Sequence, residues 1–554
     1  MSDAPTTVTA RIPPALSAPI ADRVNAAAAE SVADRLRAGD GSLWGAPEVP
    51  EVDNRLGWLT IAERMLGDIE DVEQFAAQVR ADGFTHVVLL GMGGSSLAPE
   101  VLRRSFGHSA GHPTLHVLDS TDAATIASVQ GAVDLARTLF IVSSKSGGTI
   151  EPLSLFAHFW SLVGDGSHFA AITDPGSGLA KLAQEHGFRH TFLGDPNIGG
   201  RYSALSPFGI VPAALIGVDV RGLLEGSAGA WETSLQELGE DGTSSTREEL
   251  PAPVILGAGL SALAAAGRDK LTFVIAESLP GLGLWLEQLV AESTGKHGRG
   301  ILPVADEPLG EPGVYGEDRV FAYLPDLDAP DPETDERVSR LAVAGHPVIT
   351  IPTHGPADLG RVFLLAEIAV AVAGWGLQIN PFDQPNVQQA KDATAHVLGD
   401  YEKTGELPEP ASAGDDAVRA LLLGASPPSY VAIMAYCEPS DGFEMAAAGL
   451  REAVRAATHA TTTFGYGPRF LHSTGQFHKG GPRTGRFLQL IADGPTDIAI
   501  PGARYTFATL KRAQAIGDLD TLRELGLPAE HVRLQGDDPV GALRALTAMI
   551  KEQT

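Results

Sequence analysis

Thr85-His86-Val87-Val88-Leu89-Leu90 runs directly into Gly91-Met92-Gly93-Gly94-Ser95-Ser96, and a helix opens near Leu97. The first six residues read as a short apolar strand. A strand, a glycine loop and a helix start, in that order, put backbone N–H groups where a phosphate can sit. The same pattern also serves as a tight turn between a strand and a helix. Ser96 stands where a dinucleotide fingerprint needs its third glycine, so the match to NAD binding is weak, although Asp119 closes the next strand. Further strands are predicted at 115–118, 139–142 and 170–173, and a second β/α series has strands at 272–275, 320–324 and 348–351. That alternation makes the chain α/β.

Two later loops carry more chemistry than a turn needs. Ser143-Ser144-Lys145-Ser146-Gly147-Gly148-Thr149 precedes a helix from Ile150. One hydroxyl suffices for an N-cap, so four hydroxyls with two glycines favour an anion site. Asp195-Pro196-Asn197-Ile198-Gly199-Gly200-Arg201-Tyr202-Ser203 holds an arginine behind two glycines, where a guanidinium can approach a small ligand or a developing oxyanion.

Ala291-Glu292-Ser293-Thr294-Gly295-Lys296-His297-Gly298-Arg299-Gly300 ends an apolar helical run from Leu282. Glu292 beside that turn is a candidate proton shuttle, and Gln288 shares its helix face four residues earlier. The plainer reading is a helix end, with Gly295 as C-cap and Lys296, His297 and Arg299 complementing the dipole. Gln384 and Lys391 are seven apart, on one face if their segment is helical, which is also how a polar helix surface looks.

The 554 residues hold three or four domains' worth of core, with 44% hydrophobic content. No uncharged apolar run reaches membrane-spanning length, and the N-terminus lacks a secretory pattern. One cysteine, Cys437, fits a reducing cytoplasm. A net charge of -29 repels nucleic acid and acidic membranes, so neither is expected as a partner. The expected organisation is a helical arm over 1–78, with helices at 21–38 and 61–79, then a first β/α domain over 79–235. A polar connection over 236–253 follows, then a second β/α domain over 254–408. A linker over 408–416 leads to a C-terminal α/β extension over 415–554, with strands at 430–436 and 487–491.

These motifs, in this order, resemble glucose-6-phosphate isomerase over about residues 80 to 395. Asn197-Ile198-Gly199-Gly200-Arg201-Tyr202-Ser203 is similar to that family's first signature, and Ile379-Asn380-Pro381-Phe382-Asp383-Gln384 through Lys391 to its C-terminal one. Gln288 to Lys296 is similar to its Gln-x-x-x-Glu-Ser-x-Gly-Lys motif, Ser144-Lys145-Ser146 with Thr149 to its phosphate loop, and Gly91 to Ser95 to its first glycine loop. Tyr466 to Gln476 and Lys479-Gly480-Gly481-Pro482 resemble the isomerase half of transaldolase–isomerase fusions more closely still. The segment before the first strand is too short for a transaldolase barrel, so a stand-alone isomerase is expected.

The resemblance implies two sugar-isomerase (SIS) domains with parallel sheets between helices, a sugar-phosphate substrate and a homodimer. It implies Glu292 as the proton-transfer base and Arg201 as the partner of an enediolate. Gly94, Ser95, Ser144, Lys145, Ser146, Thr149, Gln288 and Gln384 bind substrate, and Lys391 lies near the ring oxygen. No metal or other cofactor is called for. One feature departs from the family. After Gly310-Glu311-Pro312-Gly313 the usual Gln-His pair is absent, so the ring-opening histidine is unassigned. His472, His478 and His297 are the candidates, and His472 is chosen because it lies between Arg469 and a glycine-rich polar turn. An isomerase acting on mannose 6-phosphate or an amino-sugar phosphate, and a sugar-phosphate-binding regulator without catalysis, are the alternatives. The presence of both base and arginine speaks against the regulator.

Overall fold

The computed structural model describes residues 7–46, 48–238, 244–247, 250–494, 497–534 and 538–552. Three sheets organise them. Strand β1 (Thr7–Arg11) opens the chain. The first sheet is formed by β2 (His86–Leu90), β3 (Thr114–Leu118), β4 (Thr138–Ser143), β5 (Phe169–Thr173) and β6 (His190–Leu193). Its order is β3-β2-β4-β5-β6, and every pairing is parallel. The order reverses between β2 and β4, and ligands of such sheets bind beyond the carboxyl ends at that crevice. The Gly91–Ser95 loop leaves β2 and the Ser144–Thr149 loop leaves β4, so topology alone sets them side by side.

The next strands are β7 (Ser234–Leu238), β8 (Ser244–Arg247), β9 (Lys270–Ile275), β10 (Leu302–Val304), β11 (Arg319–Leu324) and β12 (Val348–Thr350). The second sheet runs β10-β9-β11-β12-β1-β7-β8. Its first four strands are parallel, whereas β1 is antiparallel to β12 and β8 to β7. Helix Leu282–Thr294 connects β9 to β10, and all but one of its residues are buried. It packs against helices Leu359–Leu377, Leu97–Phe106 and Gly475–Gly480, so it is enclosed by all three units.

The last sheet is formed by β13 (Tyr430–Tyr436), β14 (Thr461–Tyr466), β15 (Gly485–Ile491) and β16 (Ala529–Arg533), in the parallel order β14-β13-β15-β16. Helix Phe507–Glu524 packs on helix Pro385–Thr404, which carries the C-terminal unit back onto the first two. Gly355–Leu377 is long and apolar enough to cross a membrane by length and composition, but 89% of its most apolar window is buried inside the protein.

The N-terminal arm is not wholly helical. Its β1 alternates half-buried and buried residues and completes the second sheet, and its first helix begins at Pro14, where a proline suits the first turn. The polar connection over 236–253 lies partly outside the described residues. The described part includes β7 and β8, an antiparallel pair at the end of the sheet, with β8 outermost and β7 half-buried between it and β1. The second sheet is therefore mixed rather than parallel throughout.

Candidate active site

Glu292 lies on the last turn of the buried helix, 8% exposed. Its Oε2 accepts from Gln288 Nε2 at 3.2 Å, the i,i+4 contact that the helix period dictates, and its Oε1 is 3.5 Å from Arg201 Nη1. Arg201 is 2% exposed and fully engaged. Its Nε donates to Ser293 Oγ at 2.8 Å and its Nη1 to Gln384 Oε1 at 2.9 Å. Its Nη2 donates to the carbonyls of Pro381 at 2.6 Å and Asp383 at 3.0 Å. A guanidinium so saturated is a fixed positive charge beside the carboxylate, with little freedom to reorganise.

Glycines let these loops meet. A Cβ on Gly94 would stand 2.2 Å from the Gly200 carbonyl oxygen, and one on Gly93 would stand 3.0 Å from Gln288 Nε2 and 2.9 Å from the His472 carbonyl oxygen. The first glycine loop is thus pressed between the Arg201 turn, the Gln288 side chain and His472. Gly295 works by close approach as well. Its φ is -76, not the left-handed value of a C-cap glycine, and a Cβ there would stand 2.4 Å from Phe477 Cα. It admits helix Gly475–Gly480 against the end of the Glu292 helix.

That contact delivers His472. Its carbonyl accepts from Gln288 Nε2 at 2.8 Å, and its ring Nε2 lies 2.9 Å from Glu151 Oε1. Glu151 is buried in the first turn of the helix after the hydroxyl loop and also accepts from Gln514 Nε2 at 2.7 Å. Gln514 Oε1 in turn accepts from Thr121 Oγ1 at 2.7 Å. Burial acts to raise the Glu151 carboxyl, but the charge and hydrogen bond of His472 outweigh it and hold the carboxyl below its usual range. Lys391, exposed on helix Pro385–Thr404, adds positive charge toward Glu151 from the open side. Arg469 fixes the same loop by a two-pronged ion pair with Asp119, both contacts at 2.7 Å.

In the hydroxyl loop, Ser144 Oγ donates to Thr149 Oγ1 at 3.2 Å, and Ser146 Oγ lies 3.4 Å from the same atom. Ser146 and Gly148 are exposed, so this cluster opens to solvent at the helix start. Ser143 Oγ ties the loop to the first glycine loop through the Ser95 carbonyl at 3.0 Å. Lys145 departs from its expected role. Its ammonium pairs with Asp174 at 2.5 Å and with the Asp195 carbonyl at 3.1 Å, turned toward the Arg201 loop rather than into the hydroxyl cluster.

Glu292, Arg201, Gln288, Gln384 and His472 are therefore drawn together, and Ser144, Ser146, Thr149, Gly94 and Ser95 lie on the loops adjoining them. The other two histidines stand apart. His297 is exposed on a turn at φ 53. His478 is buried with its Nδ1 2.9 Å from Tyr430 Oη, and burial pushes it down to about 3. Sequence reading missed Glu151, Gln514 and Thr121. Glu151 looks like an ordinary acidic residue in a first helical turn, and the only signal was its place two residues after Thr149.

The description phosphoglucose isomerase belongs to a family model that matches residues 57–300, a span holding Arg201, Gln288 and Glu292. Glucose-6-phosphate isomerase of Rubrobacter xylanophilus is 30% identical over 423 residues, covering 67% of this chain and 93% of that protein. The chain belongs to the phosphoglucose isomerase family. The enzyme of that name from Trichormus variabilis is 29% identical over 388 residues, 61% of this chain and 72% of its own. Among solved structures, a hypothetical protein of Thermus thermophilus superposes with a TM-score of 0.58 at 24% identity, over 70% of this chain and 99% of that one. A glucose-6-phosphate isomerase of Chlamydia trachomatis superposes at 0.51 and 20%, over 62% of this chain and 75% of that one. These two share the fold. The family match stops short of Gln384 and His472, which the tertiary structure brings against Arg201 and Gln288.

Proposed function

We propose that this chain interconverts glucose 6-phosphate and fructose 6-phosphate by opening the sugar ring and moving a proton between C2 and C1. The observation that carries this reading is the Glu292 carboxylate held between Gln288 and the Arg201 guanidinium, with the Glu151–His472 pair across the glycine loop. Ser144, Ser146 and Thr149, with the backbone of Gly94 and Ser95, hold the phosphate at the crevice between β2 and β4. His472, held by Glu151, exchanges a proton with the ring oxygen, and Lys391 lies near that oxygen. Glu292 then takes the proton from C2 of the open aldose and returns it to C1, since the two carbons are neighbours. Arg201 and Gln384 face the enediolate oxygens, where the fixed charge lowers the barrier without reorganising.

The substrate is a small sugar phosphate, and the family implies a homodimer. The single cysteine, buried Cys437, agrees with a cytoplasmic setting, and the net charge of -29 opposes binding to nucleic acid or acidic membranes. The domains run 79–235 and 254–408, with the extension over 415–554 contributing His472. A coupled assay with fructose 6-phosphate tests the activity. Glu292→Gln keeps the shape and removes the base, so turnover should fall by roughly 10²–10⁴-fold while substrate affinity holds. Near-normal turnover in that variant sinks the assignment.

A further inference from the structure

Lys296 ends the motif that contains Glu292, and its place just beyond the helix suggests a surface cation complementing the dipole. It is instead 0% exposed. Its Nζ donates to the Asn380 carbonyl at 2.6 Å and to Asp383 Oδ1 at 2.7 Å. The same short turn offers Arg201 its acceptors, namely the carbonyls of Pro381 and Asp383 and the side chain of Gln384. Two cations thus grip one turn, the ammonium through Asn380 and Asp383, the guanidinium through Pro381, Asp383 and Gln384.

We infer that Lys296 is a positioning residue for Arg201, fixing the 380–384 turn so that the guanidinium stays against Glu292. The inference rests on the reading of Arg201 as the enediolate's partner. Phe382 anchors the middle of the turn in the core against Trp44 and Tyr202, but that apolar contact does not aim the carbonyls of Pro381 and Asp383. The turn forms neither helix nor strand, and its other ties include Phe382 N to Asn380 Oδ1 at 2.9 Å and Asn380 Nδ2 to the Pro50 carbonyl at 3.0 Å. The ammonium is also costly where it is. Burial first, and then the nearby Arg201 charge, push Lys296 down to about 7 against the pull of Asp383 and Glu292. An apolar side chain of similar length would fill the space without that desolvation, so stability alone gives weak reason for a lysine. What the ammonium supplies is direction, because its two bonds dictate where the neighbouring carbonyls point. The Arg201–Glu292 separation of 3.5 Å leaves little slack, and a displacement of about 1 Å near reacting atoms can cost on the order of 10²-fold in rate.

The test is Lys296→Met, alone and combined with Arg201→Lys, assayed with fructose 6-phosphate. The expected result is a fall in kcat of about 10- to 100-fold with KM held within roughly threefold, because the hydroxyl loop is untouched. In the Arg201→Lys background the further loss should shrink below about threefold, since a positioning residue has no effect once its target is altered. A kcat near the parent's, or a full additive loss in the double variant, overturns the inference. Normal turnover in Arg201→Lys alone overturns the reading of Arg201 and the inference with it. If that single variant is impaired while Lys296→Met is not, only the role of Lys296 fails. Should Lys296→Met fail to fold, Asp383→Ala is read in its place. It removes the acceptor at a partly exposed position, and the same selective loss of kcat is expected; an unchanged kcat there overturns the inference equally.

Discussion

Replacing Glu151 by Gln keeps the side chain's shape and removes one charge from behind His472. The parent carboxylate meets His472 Nε2 at 2.9 Å and Gln514 Nε2 at 2.7 Å in a buried site. Burial alone raises this carboxyl, yet it is held below the usual range, which means the contact with His472 outweighs desolvation. A charge-assisted hydrogen bond of this kind contributes about 1.5–3 kcal/mol, or roughly 10- to 150-fold in the population of imidazole held in the working orientation. Turnover of cyclic glucose 6-phosphate should fall by about that factor. Glu292 keeps its contacts with Gln288 and Arg201, so proton exchange on a substrate analogue locked in the open chain should change by less than about threefold. The first quantity is read in a coupled assay, the second by solvent deuterium appearing at the exchanging carbon in NMR spectra. Inhibition by inorganic phosphate serves as a control on the neighbouring hydroxyl loop and should be unchanged. His472→Ala should show the same selectivity, and His478→Ala should leave the ratio of the two rates as in the parent. Equal loss on cyclic and open-chain substrates would refute the division of labour between the His472–Glu151 pair and Glu292; parent-like turnover on cyclic substrate in both Glu151→Gln and His472→Ala would remove the pair from ring opening altogether.

Three further outcomes are expected. Replacing Ser144 and Thr149 together by Ala should weaken phosphorylated ligands far more than neutral sugars; equal competition by inorganic phosphate in parent and variant would reduce the loop to a helix cap. His478 is pushed down to about 3 by burial, so between its ordinary value and 3 the unfolded chain binds a proton that the native chain refuses. Stability therefore falls as pH drops through that window, by about 2 kcal/mol at pH 5, and His478→Gln should flatten the acid side of a melting-temperature profile. Glu287 is pushed up to about 8, by burial first and then by the charge of Asp306, so the native chain holds a proton that the unfolded chain has already lost. Its contribution is lost as pH rises from the ordinary carboxylate range to 8. Glu287→Gln should then raise stability at pH 8 by on the order of 4 kcal/mol, with a matching rise in melting temperature, and change it by only about 1 kcal/mol at pH 5; no difference between the two pH values would contradict this.

The sequence by itself determined the α/β class and most site chemistry, because both are written locally. β2 and β4 each centre on a run of four apolar residues, 87–90 and 139–142, and the Gly91–Ser95 and Ser144–Thr149 loops follow closely, so strand, loop and helix start could be read in order. Gln288 and Glu292 share a face through the helix period alone, and that contact is present. Only tertiary structure decided the rest. β1 and β7 are short, polar strands that do not announce themselves in the sequence; β1 exists because β12, more than 330 residues further along the chain, and β7 supply its hydrogen-bond partners, and β8 closes the sheet at its edge. The positive charge of Lys296 was legible, but its burial was not, since that depends on a turn 84 residues away. Glu151 lies 321 residues from His472, and no local pattern encodes a contact over that separation. It arises because Gly295 lets Phe477 approach and because helix Phe507–Glu524 brings Gln514 onto the same carboxylate. Local spacing fixes which groups a helix or loop presents, whereas the meeting of two such groups is set by the packing of the units that carry them.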